Sequence, residues 1–139
     1  MKRAVIVADG SFHVETAQGS FAATGFEAVT VPTSAEARVA VEAGTQVVIA
    51  GVGPEGWSGE RARPLAAMPA ALRRGCVVVL VGESLVTGDG ARAFLLGVDL
   101  VVRAGDLASL GELASKALAA KRALVARLDP AAASRLGGE

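Results

Sequence analysis

One cysteine, one histidine and no excess of either charge are the scarcities that define this 139-residue chain. A lone Cys76 excludes an internal disulfide and a multi-cysteine metal site. The 14 Lys plus Arg residues balance 14 Asp plus Glu and form no basic run, so the electrostatic footprint of a nucleic-acid or anionic-membrane binder is missing. His13 has no second His or Cys at metal-ligand spacing, and no metal site is expected. No apolar run approaches the roughly 20 residues of a membrane span; the longest, Cys76 to Val81, has strand length. Nor does an apolar signal segment separate Met1 from the strand-like Ala4 to Ala8, and cytoplasm is the expected location. What is abundant is apolar surface: 52% hydrophobic residues at this length describe one compact domain with a sizeable core.

Short Val/Ile/Leu-rich runs at Ala4 to Ala8, Glu27 to Val31, Gln46 to Ala50, Cys76 to Val81 and Leu100 to Val102 alternate with longer segments of helical spacing. Several runs are apolar at consecutive positions, as strands buried on both faces by helices require, so a parallel sheet is expected. Val14, Ala17 and Phe21 fall on one helical face, predicting a helix over Phe12 to Thr24 that Gly25 ends. Ser34 is the expected N-cap of a second helix closing at Gly44. A third, between Gly59 and Arg74, should be broken by Pro64 and Pro69. The fourth spans Gly90 to Leu96, and the fifth starts after Asp106 as N-cap and persists to Leu128, where Asp129 and Pro130 halt it. The pattern implies a doubly wound α/β domain over residues 1–121, followed by an extended last helix and tail over 122–139. Ligands of such sheets meet the carboxyl ends of strands, so Ala8 to Ser11, Gly51 to Trp57, Gly82 to Thr87 and Arg103 to Asp106 are the segments where function would sit.

From Arg3 to about Ala120 the chain resembles a response-regulator receiver domain, chiefly through Gly25 to Val31 with Ser34 to Ala43, and through Ala93 to Arg103. The resemblance implies a flavodoxin-like fold with five parallel strands in the order 2-1-3-4-5 and helices on both faces. Receivers accept a phosphoryl group on an aspartate at the end of the third strand, beside an acidic pair holding Mg²⁺, a Ser/Thr and a Lys, because an anionic acyl phosphate must be charge-neutralised to form. Carried over, the acidic pair falls on Ala8 and Asp9, so one carboxylate survives, a poor magnesium site. The phosphoacceptor falls on Gly51, which has no nucleophile, the switch hydroxyl on Gly82, the switch aromatic on Leu100, and the Lys-Pro pair on Arg103 and Ala104. The resemblance therefore implies a degenerate, pseudo-receiver member with a vestigial pocket of Ala8, Asp9, Gly51, Gly82 and Arg103, in which Asp9 is expected to pair with Arg103.

Other residues permit other readings. Gly51, Gly53 and Gly56 form a G-x-G-x-x-G run directly after a strand, which in a dinucleotide fold lets backbone approach a pyrophosphate; here it follows the third strand instead of the first. A small-ligand or nucleotide sensor using that loop is the alternative function. Trp57, in the same glycine-rich stretch, either anchors a partner or folds back over the sheet end. Leu107, Leu110, Ala114, Ala117, Lys121, Leu124 and Leu128 make a stripe broken only by Lys121, while Leu113, Leu118 and Val125 make a second. One helix cannot bury both on one sheet, so Leu110, Ala117, Leu124 and Leu128 with Trp57 are the expected interaction surface. The duller alternative is an extension folded back on its own domain. The expectation is a non-enzymatic signalling module without cofactor or metal, working through protein partners, an output domain or homodimerisation, and binding neither nucleic acid nor membrane.

Overall fold

The computed structural model describes residues 2–53 and 56–138. Five parallel strands, β1 (Lys2–Val7), β2 (Phe26–Val31), β3 (Val47–Gly51), β4 (Val77–Gly82) and β5 (Leu100–Arg103), lie in the order β2-β1-β3-β4-β5. Register runs Ala4 to Ala28 and Val47, Val48 to Val78, and Gly82 to Arg103. Around the sheet are α1 (Val14–Ala23), α2 (Ser34–Glu42), α3 (Arg63–Ala66), α4 (Ala70–Arg73), α5 (Gly90–Leu96), α6 (Leu110–Val125) and α7 (Pro130–Leu136), with 3₁₀ turns at Glu60–Ala62 and Ala104–Ser109.

The consecutive apolar residues of β1, β3 and β4 divide by parity between two cores. Ala4, Ile6, Val47, Ile49, Val77 and Val79 face a cluster shared with Phe21 of α1 and Leu110, Ala114 and Leu118 of α6. Val5, Val7, Val48, Ala50, Val78 and Leu80 face the opposite cluster, with Val41 of α2, Leu65 and Met68 near α3, and Ala93 of α5. A period-2 side-chain alternation between two helical layers is why these strands read as unbroken apolar runs.

Gly25, at φ +83°, follows the end of α1 as predicted. Four expectations need correction. The N-cap of α2 is Thr33, whose Oγ1 accepts from the Glu36 amide at 3.2 Å; Ser34 is the first helical residue. Asp106 caps nothing: it sits within the 3₁₀ turn, and its carboxylate instead takes the Thr87 hydroxyl at 2.5 Å. The last long helix ends at Val125, well short of Leu128. The expected tail is also a helix: Asp129 caps it by accepting from the Ala132 amide at 3.1 Å, with Pro130 in the first turn. Ala132, Ala133 and Leu136 of α7 are buried in the same core as the strands, so the expected boundary at residue 121 falls inside α6 and no separate tail emerges. Among the described residues, no helix is long and apolar enough to cross a membrane.

Two residues that look out of place in the sequence explain the packing of α6. Gly111 lets α6 approach α1 so closely that a β-carbon there would lie 2.4 Å from the Ser20 carbonyl oxygen and 2.3 Å from Thr24 Oγ1; its amide donates to Ser20 Oγ at 2.8 Å. Lys121, the break in the apolar stripe, reaches the base of the sheet, where its ammonium donates to the Arg73 and Cys76 carbonyls at 2.7 and 2.6 Å and pairs with Asp99 at 2.9 Å. Asp99 in turn accepts from the Val78 amide at 2.8 Å, so one charged cluster ties α6, the end of α4, β4 and β5 together.

Candidate functional site

Parallel strands joined by right-handed crossovers bring their carboxyl ends to one side of the sheet, and the loops there carry every candidate residue of the expected pocket. Gly51 and Gly82 end β3 and β4; Gly82 is paired in register with Arg103, the last residue of β5. Ala8 and Asp9 follow β1 directly. These positions share one edge of the sheet, with β3 and β4 lying between Asp9 and Arg103.

The pocket, however, is full. Gly51 is not in the left-handed region, so its backbone conformation would accept any residue. Its surroundings would not: a β-carbon at position 51 would lie 1.9 Å from Ser11 Oγ, 2.6 Å from Ser11 Cβ and 3.1 Å from Phe12 Cδ1. Ser11, in the loop after β1, occupies the space that a side chain at the end of β3 would need. It is held there by Asp9, whose Oδ1 accepts from both the Ser11 hydroxyl, at 2.6 Å, and the Ser11 amide, at 3.1 Å. Gly82 is crowded more mildly: a β-carbon there would meet Leu85 Cδ1 at 3.2 Å, and Leu85 itself is buried.

Asp9 does not pair with Arg103. Its second carboxylate oxygen is 4.0 Å from the Arg61 guanidinium, which is largely exposed, a weakly stabilising arrangement in water. The Arg103 backbone amide donates to Thr87 Oγ1 at 2.8 Å, and the same hydroxyl donates to Asp106, while the Gly88 amide donates to the Val101 carbonyl at 3.0 Å. These bonds fasten the loop after β4 onto β5 and onto the loop beyond it. The reason for the miss is distance along the sheet: β1 and β5 are separated by β3 and β4.

The donor set does not fit a magnesium ion. Ala8 has no carboxylate, Asp9 already accepts two bonds from Ser11, and among the described residues no group of three or more His, Cys, Asp or Glu side chains converges. His13 acts as the cap of α1, its Nδ1 lying 2.8 Å from Thr16 Oγ1 and facing the Thr16 amide. Burial pushes the Cys76 thiol up to about 11, only partly opposed by the nearby Lys121 ammonium.

Among the described residues around the glycine run, no long helix begins. Gly56, at φ +73°, donates its amide to the Gly53 carbonyl at 2.9 Å, and beyond it the chain enters a 3₁₀ turn and a four-residue helix, short of the helical N-terminus that a pyrophosphate needs. Pro54 and Glu55 of that run lie outside the described residues. The cleft between Asp9, Gly51, Gly53, Trp57 and Arg61 measures about 40 Å³. That is room for a few waters, against the several hundred cubic ångströms of a cofactor site.

The expected interaction surface is only partly a surface. Trp57 folds back over the sheet end and is 8% exposed, Leu110 is wholly buried and Ala117 half-buried, because the first turns of α6 cover the sheet. Leu124 and Leu128 stand out at 74% and 82% exposure, although the chain does fold back beyond them into α7. Sequence reading overlooked Phe94 and Leu95 of α5, 84% and 79% exposed. Only the short length of α5 hinted at them, since a two-turn helix buries little more than Ala93.

No family model and no curated protein matches this chain. Among solved structures it is similar to the crystal structure of a response regulator receiver domain protein (CheY-like) from Methanospirillum hungatei JF-1, with a TM-score of 0.61 and 17% identity over 89% of this chain and 98% of that one. The fold is that of a CheY-like receiver: a five-stranded parallel sheet in the order 2-1-3-4-5 with helices around it.

Proposed function

We propose that this chain is a pseudo-receiver, a cytoplasmic signalling module that works by protein contact and carries out no phosphoryl transfer. The observation that carries the reading is Ser11 standing where a side chain at Gly51 would stand. A receiver needs a carboxylate nucleophile at that point, a metal beside it and a mobile hydroxyl opposite. Here the nucleophile position has no side chain, its space is taken, the remaining acid is turned onto Ser11, and the end of β4 is glycine packed under Leu85. What such a domain retains is surface. The exposed apolar side chains of α5, of the end of α6 and of the turn after it, Phe94, Leu124 and Leu128, are the proposed homodimer face.

Two measurements test this. Incubation with Mg²⁺ and acetyl phosphate should leave the intact mass unchanged; phosphorylation of an aspartate would sink the reading. Light scattering should give a dimer mass indifferent to Mg²⁺ and beryllofluoride, and the double variant Leu124→Glu/Leu128→Glu should be monomeric. A monomeric parent chain would remove the homodimer from the proposal.

A further inference from the structure

At the amino ends of the strands, the far end of the sheet from Gly51 and Gly82, an open cavity of about 460 Å³ lies against the close of α2 at Ala43 and Gly44. That is the size of a small-molecule site. Four polar side chains from four segments line it: Arg3, Glu27, Gln46 and Arg135. Arg3 is in register with Glu27, and Ala4 with Val47, so Glu27, Arg3 and Gln46 stand side by side at the start of three adjacent strands. By parity with Val5 and Val48 they leave the sheet on the α2 face.

Gln46 is the unusual member, because it is only 2% exposed. Its Oε1 accepts from the Arg3 amide at 2.9 Å, which fixes the carboxamide, yet among the described residues its Nε2 has no acceptor. No fully enclosed side-chain nitrogen or oxygen among those residues lacks a partner, so that Nε2 opens to the cavity. Arg135 reaches in from α7 and is held in place. It donates from Nη2 to the Ala71 carbonyl at 3.4 Å, and a β-carbon at position 75 would lie 2.5 Å from its Nε, so Gly75 leaves the guanidinium its seat. Glu27 forms no ion pair with Arg3 despite their register, whereas the neighbouring acids Asp99 and Asp129 are paired with Lys121 and Arg74. The cavity thus offers the donors of two guanidinium groups and a fixed carboxamide, and beside them one carboxylate. The carbonyl end of α2, negative in its dipole, lies on the same cavity.

We propose that this cavity binds a free α-amino acid: its carboxylate meets Arg3, Arg135 and Gln46 Nε2, and its ammonium meets Glu27 beneath the end of α2. Arginine forks suit a carboxylate, while Glu27 and the α2 terminus oppose a dianion such as phosphate and favour a ligand that carries its own cation. The site is separate from the filled pocket and does not depend on the reading of the chain as a contact module.

Calorimetric titration of the full chain with each common α-amino acid tests this. At least one should bind saturably. Its dissociation constant should rise about tenfold or more in Arg3→Gln/Arg135→Gln, as expected for losing charge-assisted bonds, and similarly in Glu27→Gln. The analogue of that amino acid without its amine should bind the parent more weakly, and should not lose further affinity in Glu27→Gln. Arg3, Glu27 and Arg135 are exposed, so these variants should keep the parent circular dichroism. Absence of binding by every amino acid, or an affinity unchanged in either variant, would overturn the proposal. So would phosphate or the matching α-hydroxy acid binding as tightly as the amino acid, which would make the cavity a general anion site.

Discussion

A single methyl group at position 51 is the sharpest probe of the filled pocket. Because Gly51 has an ordinary backbone conformation, Gly51→Ala introduces no strain of its own and should gain slightly from a less flexible unfolded chain. Any loss must therefore come from space. The added carbon would sit 1.9 Å from Ser11 Oγ, which can rotate away only by leaving Asp9, and 2.6 Å from Ser11 Cβ, which moves only with the backbone. The loop after β1 has to move, breaking the Ser11 to Asp9 bonds as it does so. Overpacking of this kind costs about 1–3 kcal/mol, and for a domain of this size that lowers the melting temperature by roughly 3–9 °C. Ser11→Gly removes the two nearest contacts, so Gly51→Ala/Ser11→Gly should be more stable than the sum of the single effects by at least about 1 kcal/mol. Thermal and urea unfolding of the four proteins completes the cycle. If Gly51→Ala unfolds like the parent, or the two changes simply add, Ser11 does not occupy the site.

Three further outcomes follow from the packing of α6 and the base of the sheet. Gly111→Ala gains about 1 kcal/mol in helix propensity but drives a methyl into the Ser20 carbonyl at 2.4 Å, so a net loss of up to about 2 kcal/mol is expected in urea unfolding; a raised midpoint would contradict the close approach of α1. Lys121→Met leaves Asp99 half-buried without its cation and should cost about 2–3 kcal/mol, with Lys121→Met/Asp99→Asn recovering part of that loss; equal stability of the two variants would show the pair to be incidental. Cys76 should resist iodoacetamide at pH 8 in the native protein and react on unfolding. Its raised value means the folded state holds the proton more tightly, so its contribution to stability is complete below the ordinary thiol value of 9.0 and is lost as pH rises towards about 11; rapid native labelling at pH 8 would refute that.

Much of the fold was legible because burial on both faces leaves a simple mark. The runs from Ala4, Gln46 and Cys76 are apolar at consecutive positions, and each lies within a residue or two of its strand. The short α5 was readable too, since Asp89 before Gly90 and Gly97 after Leu96 punctuate it at both ends. The miss at the chain end has a physical cause: Ala132 and Ala133 look like a featureless small-residue tail, but small side chains are what a helix needs to lie close against α6. The strand ends that carry Asp9, Gly51, Gly82 and Arg103 were equally visible, whereas the contacts of these residues were not. Nothing in the order of residues says that Ser11 reaches across to Gly51, or that Asp9 prefers Ser11 and Arg61 to Arg103, because those partners are fixed by sheet order and loop path.

Filling the strand-end pocket has a consequence for motion as well as for chemistry. A receiver that switches needs a loop after β4 with two arrangements of similar free energy. In this chain one hydroxyl, Thr87 Oγ1, both accepts from the Arg103 amide and donates to Asp106, so a single arrangement satisfies groups from two loops at once. Under the proposed reading, that latch is what replaces the switch and keeps the α5 face in one presentation. Thr87→Ala removes the acceptor and the donor together. Because the bonds are at the surface, global stability should fall by no more than about 1 kcal/mol, yet the Arg103 amide should lose its protection against hydrogen exchange while the core amides of β3 and β4 keep theirs. Unchanged exchange at Arg103 would mean that the loop is held by the Gly88 to Val101 bond and the burial of Leu85 alone, and that Thr87 is no latch.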